Sequence, residues 1–181
     1  MYGFASGDPV TFSDPFGLCT DKNGKERECL VTWLRRSQEG LPDAATQAVA
    51  QEIANRADVD LGVWSSARSP ETNCSDKKRD PKSLHNCKRA FDVALIGVGG
   101  EWIDVGTDNL ELNQAALALA IRVTFHATRV PGVAEVLGPA GMFGVSKSGR
   151  LSFTWEHQWG RSKIAEYLGH LGHIHVGLHP Q

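Results

Sequence analysis

Apolar and polar positions alternate along this chain in short runs, broken by two longer stripes with helical spacing. After Leu41-Pro42-Asp43, the residues Ala45, Val49 and Ile53 recur at intervals of four. This predicts a helix through about Ala57, with a proline ahead of it and an acid in its first turn. A second stripe, Leu112, Ala116, Leu119, Ala120 and Val123, predicts a helix over about 110–129. Asp108 or Asn109 would cap it, and Pro131-Gly132 would end it.

The short runs predict strands. Leu61 to Ser66 is apolar and partly β-branched, and Arg89 to Val98 is a longer run of the same kind. Gly99-Gly100 breaks the latter, so Trp102 to Val105 reads as a hairpin partner. Val133 to Leu137, Phe153 to Glu156 and a closing run around His173 to Val176 complete the set. Asp21 to Glu28 is charged and reads as a loop, Leu30 to Leu34 as a short helix or strand, and Glu71 to Pro81 as a polar loop. Gly138 to Gly149 reads as a glycine-rich loop, and Lys163 to Leu168 as a helical turn or two. No internal repeat is visible.

A chain of 181 residues, 41% hydrophobic and 22% charged, fits one globular domain with ample core. The net charge of −2 gives no electrostatic case for nucleic acid, and Lys77-Lys78-Arg79 reads as a solvated loop. No apolar run approaches the roughly 20 residues of a membrane-spanning helix. The amino end lacks the basic start and apolar core of a signal peptide. Cys19, Cys29, Cys74 and Cys87 are an even set without a Cys-x-x-Cys pair. They suit disulfides in an oxidising compartment, or buried thiols in a reducing one. Cys74 and Cys87 would clip the polar loop, and Cys19 and Cys29 leave other pairings open.

Candidate chemistry centres on Ser83 to Val93, which sets His85 and Asp92 seven residues apart. Imidazole and carboxylate are ligands that zinc accepts, and a catalytic zinc takes three protein ligands and a water. A third ligand is offered by Gly172-His173-Ile174-His175-Val176-Gly177, where two histidines two residues apart would share a strand face. Four of the seven histidines lie between His170 and His179, interleaved with apolar residues, unlike an affinity tag. The plain alternative is a surface loop with a satisfied histidine and a histidine cluster at an exposed chain end.

Two resemblances sharpen this. The first eighteen residues hold two Asp-Pro steps and three glycines, and Pro9, Asp14, Pro15, Gly17 and Leu18 resemble the end of the core of Rhs-type polymorphic toxins. That resemblance implies that residues 1–18 close an Rhs core at a self-cleavage border, with 19–181 as the toxin domain. It further implies a parent Rhs shell, a cognate immunity protein, and delivery by type VI secretion into the periplasm of a target bacterium.

Trp64-Ser65-Ser66-Ala67-Arg68-Ser69-Pro70-Glu71-Thr72-Asn73 resembles the Ser-Gly-Tyr-Arg-Ser-Pro-Glu-x-Asn block of zinc D-Ala-D-Ala carboxypeptidases and murein endopeptidases, a group related to lysostaphin-like peptidases and the hedgehog fold. Ser83, His85, Ala90 and Asp92 match that family's Ser-x-His-x-x-Gly-x-Ala-x-Asp motif, and His173 with His175 its closing pair. The resemblance covers about residues 41–178. It implies an α+β fold, in which a small antiparallel sheet carries the zinc ligands in an open cleft and is flanked by the two helices. It implies zinc on His85, Asp92 and His175, with Arg68 holding the substrate's carbonyl or carboxylate beside the water. His173 would be the general base, favoured by strand alternation over His170 and Glu156, and Ser83 and Asn73 would lie near the substrate or fix the loop. The implied activity is cleavage of peptidoglycan stem peptides. A non-catalytic hedgehog-like zinc module and a zinc protease acting on proteins in the target cell are the alternatives. Three departures stand out: Lys88 where glycine is usual, Ala67 where an aromatic is usual, and Gly172 where many relatives carry an acid.

Overall fold

The computed structural model describes residues 18–34, 41–65, 84–105, 114–152 and 170–180. The chain opens with a two-stranded hairpin, β1 (Leu18–Thr20) and β2 (Glu26–Glu28), where the charged run had predicted a loop. The turn forms because the Asp21 carboxylate accepts the N–H groups of Asn23 and Lys25, and Gly24 takes a φ of 76°. A Cys19–Cys29 disulfide closes the hairpin. Cys87 is also disulfide-bonded, and Cys74 lies outside the described residues.

The main sheet has eight strands, larger than expected. They are β3 (Val31–Trp33), β4 (Asp60–Ser65), β5 (Ala90–Val98), β6 (Glu101–Asp104), β7 (Val133–Gly138), β8 (Gly141–Val145), β9 (Leu151–Ser152) and β10 (Ile174–Leu178). The order is β3-β4-β5-β10-β7-β8-β9, with β6 also on β5. Only β3 and β4 run parallel among these pairs. The expected glycine-rich loop 138–149 is instead β8 and the turn into β9. Met142 and Val145 are buried there, and Gly149 at φ 78° makes the turn.

Helix α1 (Ala44–Ala57) and helix α2 (Gln114–Ala127) match the two stripes. Asp43 sits at the N-cap rather than in the first turn, its carboxylate accepting Thr46 N–H at 2.7 Å. The expected caps Asp108 and Asn109 lie outside the described residues. Both helices touch each other and the sheet, and their small buried residues, among them Ala50, Ala54, Ala116 and Ala120, allow close approach. The core between them takes Phe91 and Val93 from β5, Val136 from β7, and Ile174, Val176 and Leu178 from β10. Strand alternation therefore turns Asp92, His175 and Gly177 to the other face. The hairpin is tied to this sheet by Arg27, which grips the buried Asp60 carboxylate with both terminal nitrogens, while Leu30 N–H donates to the same carboxylate at 2.8 Å.

Candidate metal centre

The sheet register brings the site together. Asp92 on β5 lies directly opposite His175 on β10, so two residues 83 apart in sequence face one another on the same surface. Gly177, one step along that face, lies opposite Glu135 of β7. His85 arrives from a 3₁₀ turn, Leu84–Cys87, closed by Arg89 N–H donating to Leu84 O at 3.0 Å. The residue after the turn, Lys88, has a φ of 57°. This is left-handed backbone, which glycine adopts most readily, and Lys88 takes it here. Its carbonyl accepts the Thr46 hydroxyl at 3.0 Å, pinning the turn to the start of α1.

Three ligand atoms converge. His85 Nε2 lies 3.1 Å from His175 Nδ1 and 3.2 Å from Asp92 Oδ1, and the latter two are 2.9 Å apart. Ligand atoms at about 2.0–2.1 Å from a tetrahedral zinc would be separated by roughly 3.3 Å, close to this triangle. His85 and His175 are buried, Asp92 nearly so. Two imidazole nitrogens and a carboxylate oxygen gathered at one point form a donor set that a divalent cation accepts once His175 Nδ1 gives up its proton. His85, Asp92 and His175 are thus a candidate metal-binding group, as the spacing had suggested.

Behind the triangle stands a residue that the sequence motifs did not single out. Glu135 Oε1 lies 3.2 Å from His175 Nε2, the ring nitrogen facing away from the triangle. A carboxylate there fixes the ring's orientation and raises its basicity. The signal was present, since Glu135 is an acid at the centre of the apolar run Val133 to Leu137. Burial opposes charging His175, but the hydrogen bonds to Asp92 and Glu135 win and raise its pKa to about 10. Burial likewise works against ionised Asp92, yet its bonds with His175 and His85 hold it well below the usual carboxylate range.

His173 lies at the rim. Its Nε2 is 3.7 Å from Asp92 Oδ1, and its side chain is 27% exposed against 7% for His175. Burial, reinforced by the neighbouring histidines and opposed by Asp92, lowers its pKa, so the ring is neutral at pH 7. His170 also joins the cluster, its ring 5.0 Å from that of His173 and 5.5 Å from that of His175. Arg68, Asn73, Ser83 and Glu156 lie outside the described residues, as does the Rhs-like stretch through Gly17. No helix among the described residues is long and apolar enough to cross a membrane. Comparison with protein-family models, curated proteins and solved structures finds no match to this chain.

Proposed function

We propose that this chain is a zinc-dependent peptidase that cuts peptidoglycan stem peptides, the toxin part of an Rhs effector acting in the periplasm of a target bacterium. The observation that carries this reading is the buried triangle of His85, Asp92 and His175 with neutral His173 at its open rim. Two imidazoles and one carboxylate suit zinc, and three ligands leave a position for water. Zinc there would lower the pKa of its water toward ~7 and polarise the scissile carbonyl.

The chain's own residues would handle the proton. His173 Nε2 accepts it from the attacking water and returns it to the leaving amine, a task for which a neutral ring is prepared at pH 7. Glu135 keeps the His175 Nε2–H directed at itself and leaves Nδ1 to the metal. The resemblance assigns Arg68 to the substrate's carbonyl or carboxylate and Ser83 to the substrate's side of the loop. An immunity protein in the producer and the parent Rhs shell are the partners that this reading requires.

The test is mass spectrometry of purified muropeptides after incubation with the protein, with and without a chelator. Cleavage that stops on chelation, and falls by about 10²–10⁴ in His173→Ala while zinc content stays at about one, supports the assignment. Wild-type cleavage by His173→Ala, or full zinc retention by His85→Ala, overturns it. Bound zinc without cleavage of any muropeptide would leave a binding module.

A further inference from the structure

We propose that a cleft at the carboxyl end of α2 binds a small organic anion, whose carboxylate or phosphate bridges Arg129 and Lys147. The cleft has a volume of about 670 Å³, within the range of small-molecule sites, and shares no residue with the candidate metal centre. It is therefore independent of the peptidase reading. One wall is the α2–β7 connection, Thr128 to Val133. The other is the β8–β9 turn, Val145 to Gly149, and His179 with Pro180 completes the lining.

Charge selects the ligand. Arg129 and Lys147 stand on opposite walls, and among the described residues no carboxylate lines the cleft. Neither cation forms an ion pair with any described residue. Two like charges across one cleft focus a positive field that a bound anion relieves. The carboxyl end of a helix would oppose this, because its last carbonyls carry negative partial charge. Here those carbonyls are already occupied. Thr124 O accepts Thr128 N–H at 3.1 Å, His126 O accepts Arg129 N–H at 3.0 Å, and Ala127 O accepts Val130 N–H at 3.2 Å. Phe125 O accepts the Thr128 hydroxyl at 2.9 Å and Arg129 Nη1 at 2.6 Å.

Both walls are held in place before any ligand arrives. The Arg129 guanidinium is stacked over the Phe125 ring, its Cζ 3.5 Å from the centroid. The β8–β9 turn is closed by Ser146 N–H on Arg150 O at 3.0 Å and Gly149 N–H on Ser146 O at 2.8 Å. Within it the Ser146 and Ser148 hydroxyls are 2.9 Å apart. One proton of this pair serves their mutual bond, and the other is left for an acceptor in the cleft. His179 Nε2–H donates to Val145 O at 2.7 Å, tying the end of β10 to this wall. The exposed rings of Pro131 and Pro180 give the ligand's carbon body an apolar surface.

The experiment titrates phenyl phosphate, benzoate and inorganic phosphate into the full chain and follows its backbone amides by heteronuclear NMR. The expected result is saturable shifts over residues 128–133 and 145–149 with at least one of the two organic anions, and the tighter of them identifies the anionic group. Inorganic phosphate should bind about tenfold more weakly than the tighter one, because it has no carbon body to bury. Lys147→Ala, at an exposed turn position, should weaken binding about tenfold, and Lys147→Glu should abolish it while the other amides keep their positions. Absence of shifts with both organic anions overturns the proposal. So do shifts centred on Asp92 and residues 174–178, which would place the anion at the metal centre. Inorganic phosphate binding as tightly as the better organic anion, or wild-type affinity in Lys147→Glu, overturns it as well.

Discussion

Gly177→Ala is the smallest change that should damage the candidate metal centre without touching any ligand. A Cβ at position 177 would stand 2.4 Å from Leu84 Cδ1, 2.8 Å from Glu135 Cγ and 2.9 Å from Glu135 Oε1. All three separations are shorter than any ordinary contact, so both neighbours must move. Leu84 begins the turn that carries His85, and Glu135 holds the His175 ring. Overpacking of this kind costs about 1–3 kcal/mol. At about 2–4 °C per kcal/mol for a domain of this size, melting of the metal-free protein should fall by roughly 2–12 °C. Displacing an outer-shell carboxylate costs about 10–100-fold in metal affinity, to be read by competition with a chromogenic chelator. Glu135→Gln should show the affinity loss without the overpacking. Gly177→Ala/Glu135→Ala should regain part of the melting temperature while binding zinc as poorly as Glu135→Ala, a non-additivity of about 0.5–3 kcal/mol. If Gly177→Ala melts and binds zinc like wild type, the crowding around Glu135 is not what orients His175.

Three further outcomes follow from charge. Because His175 keeps its proton up to about pH 10 when metal-free, zinc binding at pH 7 should release about one proton from Nδ1, so affinity should fall roughly tenfold per pH unit on acidification; calorimetry in buffers of differing ionisation enthalpy counts that proton, and a count of zero refutes it. The same raised value stabilises the metal-free fold below the unfolded pKa of 6.5, and that contribution fades as pH rises through about 10. Asp60→Ala strands the Arg27 guanidinium and the Leu30 N–H, and should cost about 3 kcal/mol in denaturant unfolding; a loss below about 1 kcal/mol would show that the hairpin is held by other contacts.

Which features could be read from the sequence depends on the range over which each is encoded. The helices and most strands follow from local period. The buried face of α1, however, runs through Thr46, Ala50, Ile53, Ala54 and Ala57 and leaves the predicted Ala45 and Val49 only partly buried. In α2, Ala116, Ala120 and Val123 face the core as predicted and Leu119 is partly buried. The β1–β2 hairpin escaped because charged side chains hide alternation, and with it escaped the Cys19–Cys29 pairing, which needs Cys19 opposite Arg27. The glycines of 138–149 likewise masked β8. Lys88 shows the reverse case, where an unfavourable residue occupies a backbone shape that its identity argues against.

The candidate metal centre was partly visible because its two motifs are short-range, but its completion is a matter of register. Asp92 and His175 could be nominated separately; only antiparallel pairing at Asp92↔His175 makes them neighbours. Glu135 depends on a further pairing, Glu135↔Gly177, which no local pattern specifies. A one-residue slip of β10 against β5 would turn both His175 and Gly177 into the helix-packed core and bring Ile174 and Val176 out. The apolar residues between the site residues therefore do more than fill the core: Ile174, Val176 and Phe91, each fully buried, set the register that aims the ligands. The core alternation and the site geometry are one constraint, so a substitution that weakens the first should loosen the second.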